Sequence, residues 1–241
     1  MQPPGEITID ATFNGPPASG NGGYAAGLLA SYSAAPLVVR VLAPIPLGAP
    51  LTLSRAGDVT EALHGETRIL TARRGAVTLT PPPPPTLAAA RDAAARPTSF
   101  GAGGASTCFV CGRNRAPGEG LHIHCGRLDD THAASVWTPH PNICGPDGFV
   151  RPEYVWAALD CPGGFSLPVS ATTYLLGEMS AAIHQPVPVH APVIVHAWHV
   201  WSDGRKHFAG TALHDADGAL LAQADTLWIE LTPAQAKGLA S

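Results

Sequence analysis

The sequence predicts an α+β protein made of two tandem units, each a curved antiparallel sheet wrapped around a central helix. Three observations predict it. Two Pro-rich segments far apart in the chain match one another. Around each of them the same order recurs: a strand, an apolar helix, then a run of strands. No β-α alternation is present, which argues against a doubly wound parallel sheet.

The match is specific. PIPLGAPLTL (44–53) and PVPVHAPVIV (186–195) align Pro44, Pro46, Ala49 and Pro50 with Pro186, Pro188, Ala191 and Pro192, at a constant offset of 142 residues. Most other positions exchange one aliphatic residue for another. The prolines suit a strand entry or sheet edge, where no ladder donor is required. AVTLTP (76–81) and WIELTP (228–233) follow in the same order at an offset of 152. The later copy is longer in between, and SDGRKHFAG (202–210), with its Asp203-Gly204 hairpin signal, is where the extra residues fit.

The elements of the first copy follow in order. EITIDATF (6–13) alternates as a strand, and NGPPASGNGG (14–23) is a turn-rich loop. YAAGLLASYSAA (24–35) is apolar on nearly every face and predicts a buried helix, which Pro36 ends. LVVRVL, PLTLSRAG, VTEALHG, TRILTARRG and AVTL are then strands. Five prolines (81–85) form a stiff spacer, TLAAARDAAARP (86–97) suits a short helix, and SFGAGGAS (99–106) is a flexible arm.

The second copy repeats the plan. GLHIHCG and AASVWTP are strands, and HPNICGPDGF is a loop. RPEYVWAALDC (151–161) is a helix that opens on Pro152 and stops at Cys161-Pro162-Gly163-Gly164. TYLLGEMSAAI, APVIVHAWHVW, KHFAGTALHD and ALLAQADTLWIEL are strands, punctuated by Asp203-Gly204 and Asp217-Gly218. The expected organisation is a first unit at 1–80, a linker at 81–105, a second unit at 106–233 and a tail at 234–241.

Composition excludes several classes. The formal charge of −4 offers no basic surface for nucleic acid. The 26 glycines and 25 prolines carry no three-residue period, which excludes a collagen-like helix. No export signal opens the chain and no run approaches a membrane span, so a cytoplasmic protein without a membrane partner is expected. Five cysteines in a reducing compartment are expected to be free thiols. Cys108-x2-Cys111, with His122, His124 and Cys125 downstream, invites a zinc reading. It lacks a second Cys-x2-Cys, and no metal or cofactor is expected. No Gly-x-Ser-x-Gly elbow and no nucleotide loop are present.

Three stretches resemble a known family. SGNGGYAAGLLA (19–30) is similar to the His-Gly-Gly or Asn-Gly-Gly entry to a central helix. CFVCGRNRAPGEGLHIH (108–124) is similar to the Cys-Phe-x-Cys-Gly…Gly-Leu opening of many single-hotdog thioesterases. HDADGALLAQADTLWIEL (214–231) is similar to that family's Asp-Gly-x-x-x-Ala ending. With two copies in one chain, the whole resembles a double-hotdog protein of the acyl-CoA thioesterase-like superfamily. The resemblance implies hydrolysis of an acyl-CoA or other acyl thioester. The catalytic residue it implies is Asp160, which would activate a water or attack the carbonyl directly.

The residues themselves support that in part. Placed in the last turn of its helix, Asp160 would be electrostatically disfavoured, and such local conflict often marks a functional site. The plain alternative is a solvated helix end. Gly22 and Gly23 let a carbonyl approach the backbone amides, and Asn21 either donates a hydrogen bond there or simply caps the helix. Tyr24, His199 and Thr226 are further candidates for substrate binding. Arg151-Pro152-Glu153 replace the glycines in the second copy, and Ala30 and Ser31 stand where a partner acid would be, so one site per chain is expected. The alternatives are an inactive acyl-CoA-binding protein and, on His140, an enoyl-thioester hydratase or dehydratase. Exposed sheet edges predict a homo-oligomer.

Overall fold

The computed structural model describes residues 5–98 and 107–239. The arm expected to be flexible at 99–106 lies outside the described residues, as do 1–4 and 240–241. In the first half β1 (Glu6–Thr8), a 3-10 turn (Ala11–Phe13) and α1 (Gly22–Ala30) precede β2 (Leu37–Val41), β3 (Pro50–Ala56), β4 (Val59–His64) and β5 (Thr67–Arg74). Helix α2 (Leu87–Ala94) and the two-residue β6 (Gly126–Arg127) come next. The order then returns: β7 (His132–Trp137), a 3-10 turn (Pro141–Ile143), α3 (Pro152–Ser166), β8 (Tyr174–Ile183), β9 (Val193–Asp203), β10 (Lys206–His214) and β11 (Leu220–Glu230), with α4 (Pro233–Leu239) last.

The strands form one eleven-stranded sheet in the order β1-β3-β4-β5-β2-β8-β11-β10-β9-β7-β6. From the centre outward, β2-β5-β4-β3-β1 on one side is answered strand for strand by β8-β11-β10-β9-β7 on the other. This is the duplication that the Pro-rich repeat predicts. The halves join at β2 and β8, antiparallel, through Val38↔Ser180, Val39↔Met179 and Arg40↔Glu178. An isolated bridge Asn14↔Gly20 ahead of α1 is matched by Cys144↔Val150 ahead of α3. That pairing makes Asn21 equivalent to Arg151, and Tyr24 to Tyr154.

The two central helices pack against each other. Tyr24, Ala25, Ala26 and Leu29 bury α1 on several sides, as its apolar sequence requires. Gly23 and Gly27 bring it close to α3. A Cβ on Gly23 would lie 2.4 Å from Asp160 Cβ, and one on Gly27 would lie 2.6 Å from Trp156 Cβ. Helix α2 covers the other face of the sheet, with Ala90 and Ala93 against Ala134 and Ile194. Among the described residues, no helix is long and apolar enough to cross a membrane.

Several local expectations are corrected. α1 ends at Ala30, short of Pro36, and β1 ends at Thr8, short of Phe13. α3 does not stop at Cys161 but runs to Ser166. Pro162 forfeits one helical hydrogen bond, yet every residue from Tyr154 to Ser166 is buried. A Cβ on Gly163 would stand 2.9 Å from Thr226 Oγ1 and Trp228 Nε1, so this glycine lets the helix lie on β11. Burial of the extra turn outweighs the local stop signal. Residues 76–79 form no strand. The Thr78 N–H and hydroxyl donate to Asp225 Oδ2 at 2.6 and 2.7 Å, and the Leu79 N–H to Oδ1 at 3.3 Å, so one carboxylate replaces a ladder partner. In GLHIHCG only Gly126 enters a strand. His122 has φ 53°, which breaks the alternation.

Candidate active site

The N-terminus of α1 sets the site. Asn21 is its N-cap, and Asn21 Oδ1 accepts the Tyr24 N–H at 2.8 Å. This leaves the amide nitrogen free to turn toward α3, where Asn21 Nδ2 donates to Asp160 Oδ2 at 2.9 Å. The Gly23 N–H donates to the same oxygen at 2.9 Å. Asn21 therefore does both things the sequence offers it, capping one helix and holding an acid on the other.

Asp160 stands in mid-helix, because α3 continues past it. The conflict with its own helix end, expected from sequence, is absent. Its carboxylate faces the positive N-terminal end of α1 instead, a favourable arrangement. Asp160 is 2% exposed. Burial pushes its carboxyl up to about 7, against the Gly23 N–H and Asn21 amide, which favour the charged form, and with the nearby Cys108, which disfavours it. The other oxygen, Asp160 Oδ1, is buried and has no hydrogen-bond partner among the described residues.

Of the other candidates, Gly22 and Gly23 lie in the first turn of α1 and not in a loop. Gly23 spends its amide on Asp160. The Gly22 N–H, first in the helix, makes no hydrogen bond among the described residues, as expected for that position. The Tyr24 ring stacks on Phe13 with centroids 3.9 Å apart and neighbours Phe109 and Tyr154. Burial, then Tyr154 and Glu153, raise its phenol.

Thr226 and His199 are not brought to Asp160 by hydrogen bonds. The Thr226 hydroxyl donates to the Ala209 carbonyl at 2.9 Å and accepts from Trp228 Nε1 at 3.0 Å, beside Gly163. His199 Nε2 lies 2.9 Å from Ser202 Oγ, which lies 2.7 Å from His207 Nδ1, a separate network at the far end of β9.

Two neighbours of the site were not anticipated. Tyr154 completes the aromatic group, and its hydroxyl accepts from Arg151 at 2.6 Å. The repeat carries a signal for it, since Tyr154 is the counterpart of Tyr24. Cys161, next to Asp160, joins Cys108 and Cys111, the three sulfurs all lying within 4.8 Å of one another. Hydrogen bonds from Cys111 and Cys161 hold the Cys108 thiol well below its usual range, and the other two are raised. The remaining residues of the sequence's zinc set are engaged elsewhere. His122 Nε2 lies 3.0 Å from the Ala116 carbonyl, His124 Nε2 lies 3.4 Å from the Gly112 carbonyl, and Cys125 is fully buried.

The fold is similar to that of the tesB protein of Mycobacterium avium subspecies paratuberculosis. The two share 14% identity and a TM-score of 0.60, over 93% of this chain and 91% of that one. The PaaI protein from the phenylacetic acid degradation operon of E. coli matches 46% of this chain and 84% of its own, at 8% identity and a TM-score of 0.42. A thioesterase superfamily protein matches 46% of this chain at 20% identity and a TM-score of 0.43, and this chain spans 55% of its length. No protein-family model matches the sequence, and no curated protein matches it. The tesB likeness covers both halves, and the fold is two hotdog units in tandem.

Proposed function

We propose that this double hotdog hydrolyses an acyl thioester, with acyl-CoA as the substrate class, and that Asp160 is its general base. The observation that carries the proposal is the Asp160 carboxylate itself. It is buried against the N-terminus of α1, its Oδ2 is held by Asn21 and Gly23, and its Oδ1 is left without a partner. A carboxyl group raised to about 7 is matched to proton transfer near neutral pH.

In this reading Asp160 Oδ1 takes a proton from a water whose oxygen attacks the thioester carbonyl. The Gly22 N–H, at the positive end of α1, receives the developing oxyanion. The tetrahedral species collapses, the C–S bond breaks, and the proton returns from Asp160 to the leaving thiolate. The aromatic group of Phe13, Tyr24, Phe109 and Tyr154 supplies an apolar wall at the first turn of α1. Tyr24 belongs to the acyl-binding surface in this proposal. His199 and Thr226 have no part in it, their polar groups being engaged elsewhere.

One site per chain follows from the replacement of Asn21 by Arg151 and of Asp160 by Ala30 in the symmetry-related position. The division into units at 1–80 and 106–233, joined by 81–105, belongs to the same proposal. So does a cytoplasmic setting, which suits five free cysteines. Association of copies is proposed through exposed apolar residues such as Val200 and Trp201, 41% and 43% exposed.

A second reading is favoured by the 2% exposure of Asp160. A carboxylate this enclosed suits a structural tie between helices in a protein that binds acyl thioesters without turning them over. Thiol release from a panel of acyl-CoAs, run beside equilibrium binding, separates the two. Turnover supports the hydrolase. Saturable binding with no thiol released at any chain length supports the binding module.

A further inference from the structure

The hydrolysis proposed above gives the cluster of Cys108, Cys111 and Cys161 no bond-making or proton-transfer step. Cys108 and Cys111 lie on a tight turn in which the Gly112 N–H donates to the Cys108 carbonyl at 2.8 Å. This turn presents two sulfurs on one side. Cys161 comes from the rigid, buried middle of α3, and its sulfur stands 3.7 Å from that of Cys108. All three sulfurs fall within 4.8 Å of one another.

Three thiols can pack as small apolar groups. The spacing here suits a shared ion better. Zinc–sulfur bonds of about 2.3 Å in a tetrahedral site place ligand sulfurs roughly 3.8 Å apart, the separation already found between Cys108 and Cys161. A second observation points the same way. The buried Asp160 Oδ1 has no partner. The Asn21 amide nitrogen, 2.9 Å from Asp160 Oδ2, also lies 3.9 Å from the Cys161 sulfur, so a buried acid adjoins the cluster through one shared donor.

We propose that Cys108, Cys111 and Cys161 form a three-thiolate site for a zinc-class cation, pinning the 108–111 turn to α3 beside the N-terminus of α1. Binding releases the remaining thiol protons to solvent and forms three metal–sulfur bonds. The fourth tetrahedral position is left to a water or another oxygen ligand. The sequence hides this site, because Cys161 joins Cys108 from 53 residues away.

The inference is independent of turnover and is read by metal uptake. The full-length chain, reduced and stripped of metal, is titrated anaerobically with Co2+. About one equivalent is expected to bind, with a thiolate-to-cobalt charge-transfer band of three-thiolate intensity that Zn2+ abolishes. Cys108→Ala and Cys161→Ala are expected to lose the band, while Cys144→Ala keeps it. Because the two buried variants can fail to fold, the wild-type chain carries a second measurement: Zn2+, but not Mg2+, raises its thermal midpoint. Three results overturn the proposal: uptake below about a tenth of an equivalent, a band undiminished in a folded Cys161→Ala, or a Cys108–Cys161 disulfide in protein that takes up no metal once reduced.

Discussion

The Asn21 amide and the Asp160 carboxylate, 139 residues apart in sequence, meet at 2.9 Å in the buried seam between the two central helices. Each comes from a different copy of the duplicated unit. The contact exists because α1 and α3 lie side by side, and because Gly23 and Gly27 let them approach. The same contact ties the fold together and defines the candidate site, so fold and chemistry are tested at the same residues.

A double-mutant cycle measures that tie. Serine at position 21 preserves a helix cap but removes the donor to Asp160. Asn21→Ser is expected to lower stability by about 1–3 kcal/mol in the wild-type chain and by much less in an Asp160→Ala background, which leaves the Asn21 amide no acceptor there. Urea unfolding of the four proteins gives the coupling. A value near zero contradicts the buried contact.

Gly23→Ala has a sharp sign. In an ordinary helix this change stabilises by about 1 kcal/mol. Here the new methyl would meet Asp160 Cβ at 2.4 Å and the Trp156 carbonyl oxygen at 2.8 Å. A loss of roughly 1–3 kcal/mol is expected instead, with Asp160 displaced. Thermal unfolding decides it, and a stabilised variant contradicts the close helix approach.

His196 makes stability depend on pH. Burial, then the neighbouring His132 and His214, push its imidazole down to about 4, and its Nδ1 is buried without a partner. The unfolded chain therefore binds a proton below about 6.5 that the folded chain accepts only near 4. Stability contributed by neutral His196 is complete above pH 6.5 and falls as pH drops through that window, by about 3 kcal/mol in all. His196→Phe is expected to flatten this stretch of a stability–pH curve. An unchanged slope in the variant excludes His196 as its source.

Much of this was legible in the sequence, for physical reasons. Prolines at strand entries are hard to move, so Pro44 and Pro186 still mark equivalent strands, and the duplicated sheet could be read from them. The apolar helix YAAGLLA needed a second layer to bury it, which called for a sheet around it. The end of α3 was not legible. Pro162-Gly163-Gly164 carry a strong local stop signal, overridden only by burial against β8–β11. The strand expected at AVTL failed because a distant carboxylate, Asp225, takes its hydrogen bonds. At the site, Asn21, Gly23 and Asp160 could each be singled out. The setting of Asp160 could not, because it depends on which helix end faces it. Local sequence placed it at the end of its own helix, whereas the structure sets it against the start of another.

The most direct test compares thiol release from acyl-CoA by the wild-type chain and by Asp160→Asn. The amide is nearly isosteric and can still accept from Asn21 and Gly23, so circular dichroism and thermal midpoint are expected to show an intact fold. A fall in kcat of about 10²-fold or more, with acyl-CoA binding retained, is the predicted result for a lost general base. Undiminished turnover in a folded Asp160→Asn would contradict the account.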